Sequence, residues 1–194
     1  MFRTLKPRII LLAILVCGFA ACNSNDPPSR TPPKASSAPP STALPMPPVS
    51  GSLNTLGWTA DGGKRSVFSE FKGKVLVLDF YATWCEPCRV STPHLVGLQS
   101  KYADQGLQVI GLNVGGPGDE EKVPAFAKEF SIQYTLATPD DELITFLMGE
   151  NDAIPQTFVF DRQGQLAERL IGFGPNAGAR LDSAVEAALK TPAP

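Results

Sequence analysis

The sequence predicts an α/β domain, and three observations carry that expectation. Two near-continuous apolar runs, "KVLVLDFYA" and "LQVIGLNV", lack the alternation of a half-exposed strand, as expected of strands covered on both faces. The stretch between them, from Cys85 to about Tyr102, reads as a helix, which makes the three a βαβ unit. Near the end, "TFVFD" and "LAERLIG" flank a tight turn at Arg162 to Gly164, the pattern of an antiparallel hairpin.

Taken in order, the domain is expected over residues 51–191. "LNTLGWTADGGKRSVF" opens it as a hairpin around Asp61-Gly62-Gly63, where two glycines permit a tight reversal. The βαβ unit follows. After Glu120 an amphipathic stretch places Val123, Phe126, Ala127 and Phe130 on one face. "YTLAT" and a short helix near "DELITFLMG" precede the closing hairpin, and a last helix presents Leu181, Val185 and Leu189. The chain carries no internal repeat.

Upstream of the domain the composition changes twice. Arg3, Lys6 and Arg8 precede an apolar run from Ile9 to Ala21, thirteen residues and short of the roughly 20 that a membrane-spanning helix needs, so residues 1–21 read as a secretory leader. The run ends in "FAAC". Small residues directly before Cys22 resemble the lipobox at which bacterial lipoproteins are cut and the new N-terminal cysteine is lipidated, with Phe19 departing from the usual leucine. Residues 22–50 then hold nine of the chain's 19 prolines among Ser, Ala and Thr. So few large apolar side chains cannot offset ordering entropy, and the segment is expected to be a tether reaching between about 30 Å as a coil and about 85 Å as polyproline II.

A net charge of −2 with no basic stripe argues against nucleic acid as a partner. Of four cysteines, Cys17 leaves with the leader and Cys22 is the lipidation candidate, so Cys85 and Cys88 of "WCEPC" remain. A structural staple, half of a metal site and a reacting dithiol are all open on spacing alone. Closing so short a loop removes little unfolded-state entropy, which makes stability a weak reason for a disulfide there. The pair does fall where a strand hands over to a helix. Unpaired N–H groups and the helix dipole favour an anion at that place, so Cys85 is expected to be the more accessible thiolate and Cys88, one turn in, its buried partner. Pro87 suits the first helical turn, where its missing N–H costs nothing.

"LDFYATWCEPC", Pro93 five residues after the second cysteine and the later "IPQTFVF" together resemble the thioredoxin fold. The opening hairpin and an inserted strand-helix element make the chain similar in particular to membrane-anchored TlpA/ResA-type thiol-disulfide oxidoreductases. The resemblance implies a redox pair at Cys85 and Cys88, an aromatic neighbour at Trp84 and a cis-proline at Pro155, with the backbone of Ile154 free to pair with an extended substrate. It also implies that Asp79, which closes the apolar run, takes the proton of the second cysteine. An ionised carboxylate is expensive to bury, so either its pKa is raised or it lies near water. Two positions depart from the family: Ser91 stands where ResA-type reductases have glutamate, and Gln156 where threonine is common. Glu86 favours the helix dipole yet opposes a thiolate beside it. His94, the only histidine, reads as a helix residue.

The expected activity is therefore reduction of disulfides in extracytoplasmic proteins, as in cytochrome c maturation, without a cofactor or metal. The protein would work as a monomer, lipid-anchored at a periplasmic or cell-surface membrane face and recharged by a membrane thiol-disulfide electron donor. Three alternatives remain: a copper or other metal chaperone on the same fold, a disulfide oxidant, and a binding module with an idle disulfide.

Overall fold

The structure, a computed structural model, describes residues 53–194; the leader, Cys22 and the tether lie outside the described residues. Seven strands and four α-helices follow one another as β1 (Gly57–Ala60), β2 (Arg65–Val67), β3 (Val75–Tyr81), α1 (Glu86–Tyr102), β4 (Leu107–Asn113), α2 (Val123–Glu129), β5 (Thr135–Pro139), α3 (Asp141–Met148), β6 (Gln156–Phe160), β7 (Leu166–Ile171) and α4 (Ala177–Lys190). They form one mixed sheet in the order β2-β1-β5-β4-β3-β6-β7. β3 and β4 pair in parallel, β4 with β5 likewise, and β3–β6, β6–β7, β1–β5 and β1–β2 are antiparallel. The βαβ unit, both hairpins and the last helix lie where the sequence predicts them. Between β4 and β6 the amphipathic stretch, the strand and the short helix that the sequence predicts are α2, β5 and α3, and β5 extends the sheet beyond β4 and receives β1.

The central strand shows why its apolar run is continuous. Every residue of β3 is buried, and its period of two divides them between two layers. Val75, Val77 and Tyr81 meet Leu95 and Leu98 of α1, Phe126 of α2 and Leu181 and Val185 of α4. Leu76, Leu78 and Phe80 meet Leu143 and Leu147 of α3 together with Trp58 and Phe68. Each such side chain contributes roughly 1.5–3 kcal/mol. Asp79 is therefore a carboxylate at a core position, on the layer that α1 covers.

Polar ties set α1 against α4. His94 Nε2 lies 2.9 Å from Asp182 Oδ1, and the Tyr102 hydroxyl donates to Glu186 Oε1 at 2.7 Å. Gly178 leaves room for the imidazole, since a Cβ there would stand 3.2 Å from His94 Cε1. The histidine joins two helices.

Candidate active site

Cys85 caps α1 and is joined to Cys88 in a disulfide with Cα atoms 5.2 Å apart. The backbone N–H of Cys88 donates to Cys85 Sγ at 3.2 Å, so the first-turn amide that the sequence leaves unpaired points at the sulfur. Pro87 occupies the first turn as expected. Cys88 is fully buried, and Cys85 is 4% exposed, more covered than its expected role suggests. The surface around the pair is offered by Trp84, 62% exposed, and Val90. Ser91 and Thr92 both turn their hydroxyls back to the Cys88 carbonyl, at 3.0 and 2.8 Å. Pro93 lies inside the same helix and donates no N–H. Ser91 thus serves the helix backbone and carries no acid in the place of the family's glutamate.

Asp79 is the buried acid. Its register partners are Gly111 on β4 and Thr157 on β6, and the Thr157 hydroxyl donates to Asp79 Oδ1 at 2.7 Å. Burial pushes its pKa from 3.8 up to about 7, and the Thr157 bond opposes that rise without cancelling it. A residue larger than glycine at 111 would drive its Cβ to 2.6 Å from Leu136 and 3.2 Å from Tyr81. The Tyr81 and Tyr134 phenols are in turn pushed up, chiefly by burial and further by the Asp79 charge. The Tyr81 hydroxyl has no hydrogen-bond partner among the described residues. Asp79 therefore titrates near neutrality inside the layer that holds Cys88.

The Ile154–Pro155 peptide is cis. Ile154 packs against the layer that contains both cysteines, and its backbone N–H and C=O make no hydrogen bond among the described residues. The chain before it is held by Gln156, which the sequence marks only as a departure from the family's common threonine. Its amide nitrogen donates to the Asn151 and Ala153 carbonyls at 2.7 and 2.9 Å, while its oxygen accepts from Arg169 Nη2 at 2.8 Å. Arg169 also reaches the Met148 carbonyl and lies over the Phe158 ring. One fully buried glutamine thus shapes the approach to the cis-proline.

A second unforeseen group precedes the cysteines. Thr83 donates its backbone N–H to Asp119 Oδ2 at 2.9 Å and its hydroxyl to Asp119 Oδ1, and its carbonyl accepts from Arg89 at 3.4 Å. Asn113 donates to Asp119 Oδ2 at 2.9 Å, and the Trp84 indole donates to the Gly115 carbonyl at 3.1 Å. Arg89 forms an ion pair with Glu129 and lies over Phe130. Asp119 sits 36 residues beyond Thr83 in a glycine-rich loop, and no local pattern announces the contact.

Residues 45–169 match the AhpC/TSA family. The thiol-disulfide oxidoreductase ResA of Bacillus cereus is 30% identical over 114 residues, covering 57% of this chain and 62% of that protein, and ResA of Bacillus subtilis is 28% identical over 112 residues, covering 57% and 60%. The chain thus spans less than two thirds of the length of these curated relatives. Among solved structures, a thiol:disulfide interchange protein of the thioredoxin family from Chlorobium tepidum superposes with a TM-score of 0.59 at 30% identity, over 70% of this chain and 95% of that one. The chain belongs to the AhpC/TSA family and has the thioredoxin fold, and over part of their length it is similar to the ResA thiol-disulfide oxidoreductases.

Proposed function

We propose that the protein uses Cys85 and Cys88 as a dithiol that reduces disulfides of extracytoplasmic proteins. The observation that carries this reading is a disulfide at the start of α1 lying in the same core layer as a buried carboxyl that titrates near pH 7. In the reduced protein the Cys85 thiolate attacks one sulfur of a substrate disulfide, forms a mixed disulfide and expels the other sulfur as a thiolate, which takes up a proton. Cys88 then loses its proton to ionised Asp79 and attacks Cys85 Sγ; the substrate leaves with both cysteines reduced and Cys85–Cys88 oxidised. Trp84 and the free backbone of Ile154 before Pro155 receive the substrate as an extended strand.

Recharging needs two electrons from a membrane thiol-disulfide donor. Residues 1–21 serve as the leader, Cys22 as the lipid anchor and residues 22–50 as the tether that holds a monomeric domain at the periplasmic or cell-surface face. Among the described residues no helix is long and apolar enough to cross a membrane. Substrates of the type that resemblance implies are apocytochromes c and copper-site proteins. The direction rests on Glu86 between the cysteines and on the absence of any Lys, Arg or His in that loop, both of which withhold extra stabilisation from the thiolate.

The redox potential of the Cys85–Cys88 couple tests it. A value near or below about −230 mV supports a reductant, and one near about −120 mV assigns the protein to disulfide formation instead.

A further inference from the structure

The carboxylate of Asp119 is 2% exposed and belongs to none of the steps above. It accepts from the Thr83 amide, the Thr83 hydroxyl and Asn113 Nδ2, and Lys122 Nζ approaches only to 4.0 Å. Asn113 is itself oriented by accepting from the Gly115 amide at 3.0 Å. The close approach needs glycine at 115, because a Cβ there would fall 2.1 Å from Asp119 Oδ2. Every polar atom of Thr83 is consequently engaged: N–H and hydroxyl by Asp119, carbonyl by Arg89. Trp84 is fastened to the same loop through its indole. Nothing in the sheet or in α1 requires a carboxylate at this place, and a neutral amide would have left no buried charge to satisfy.

We propose that Asp119 is a positioning residue of the dithiol site, which pins the Thr83–Cys85 segment to the loop after β4 and holds a fixed negative charge behind Cys85 that makes its thiol harder to ionise. This rests on the reading of Cys85 as the attacking thiol. Burial pushes the Asp119 carboxyl up, and the bonds from Thr83 and Asn113 with the Lys122 charge outweigh it, leaving the group below its ordinary value and ionised across the working pH range. The charged groups at the segment are Arg89 on α1, which donates to the Thr83 carbonyl, Lys122 in the turn before α2, which approaches Asp119, and Glu86, which follows Cys85 in the chain. Arg89 opposes Asp119, but its guanidinium is engaged by Glu129, and Lys122, the cation paired with Asp119, stands at 4.0 Å with its own side chain exposed. The Asp119 charge, bonded to a residue two before Cys85, thus works against the α1 N-terminus and the Cys88 amide at that sulfur, which raises the thiol pKa, withholds stabilisation from the reduced, thiolate side of the couple and so favours the reducing direction.

The test measures Cys85 alkylation against pH in the reduced protein and the equilibrium of the disulfide with a glutathione buffer, for the wild type and for Asp119→Asn. The asparagine keeps an acceptor for Thr83 but removes the charge. The expected result is an alkylation profile displaced to lower pH and a disulfide about tenfold easier to reduce, equivalent to about 30 mV. Gly115→Ala, whose methyl displaces the carboxylate from Thr83 without changing net charge, is the second variant and is expected to move both readouts the same way. A lowered melting temperature with profile and equilibrium unmoved in both variants would overturn the proposal and leave Asp119 as a structural anchor. Wild-type protein whose Cys85 is not the alkylated thiol would instead overturn the underlying assignment of the nucleophile.

Discussion

Asp79 has opposing consequences for catalysis and for stability. As an acid whose pKa rises from 3.8 to about 7 on folding, it binds a proton in the native state that the unfolded state has already released. Between those values stability therefore falls as pH rises; the contribution is fully present below about pH 4 and lost above about pH 7. The gap corresponds to about 4 kcal/mol. Asp79→Asn should accordingly be more stable than the wild type at pH 8, with the difference vanishing towards pH 4, as denaturant unfolding at the two pH values would show. The same variant should slow resolution of a mixed disulfide near neutrality more than its formation, because in the proposed mechanism only the second step uses the carboxylate as a base. Rapid-quench kinetics separate the steps; equal slowing of both would remove Asp79 from the mechanism.

At the scale of the element, α1 gives the two sulfurs different surroundings. Its N-terminus directs an amide at Cys85 Sγ, while Cys88 lies one turn inside under the hydroxyls of Ser91 and Thr92. Cys88→Ser should therefore accumulate a mixed disulfide with an oxidised protein substrate, and Cys85→Ser should accumulate none; non-reducing gels read both directly. Trapping by the second variant alone would reverse the roles. His94, one further turn along, is occupied by Asp182 of α4 and holds two helices together. The other wall of the site is the segment leading to β6, where Gln156 and Arg169 satisfy the carbonyls of Asn151, Ala153 and Met148. Such part-buried hydrogen bonds contribute about 0.5–1.5 kcal/mol each, so the turn before Pro155 is shaped by side chains of β6 and β7.

Across the whole molecule, the direction of electron flow is a stability difference between two redox states. A couple with a low potential has an oxidised form more stable than its reduced form, and a strong oxidant has the reverse. Oxidised protein should thus melt above the dithiothreitol-reduced protein. The opposite order would mark an oxidant, independently of any substrate.

Much of this was legible in the sequence, for reasons that are local. The apolar run of β3, the turn glycines and the amphipathic spacings each report burial within a few residues, and they placed β1, β2, β3, α1, β4, α2, β5, α3, β6, β7 and α4 in order. A cysteine pair after a strand and before a helix likewise carries its own electrostatics. The cis state of Pro155 was readable only through family resemblance, since the isomer is not written in a dipeptide. The rest depended on chain reversal. Asp119 meets Thr83 across 36 residues, Asp79 meets Thr157 across 78, and Gln156 finds Arg169 by the register of β6 with β7. Such contacts arise when the sheet fixes which strands are neighbours, and only then does a buried carboxylate acquire the donors that make it tolerable and set its charge.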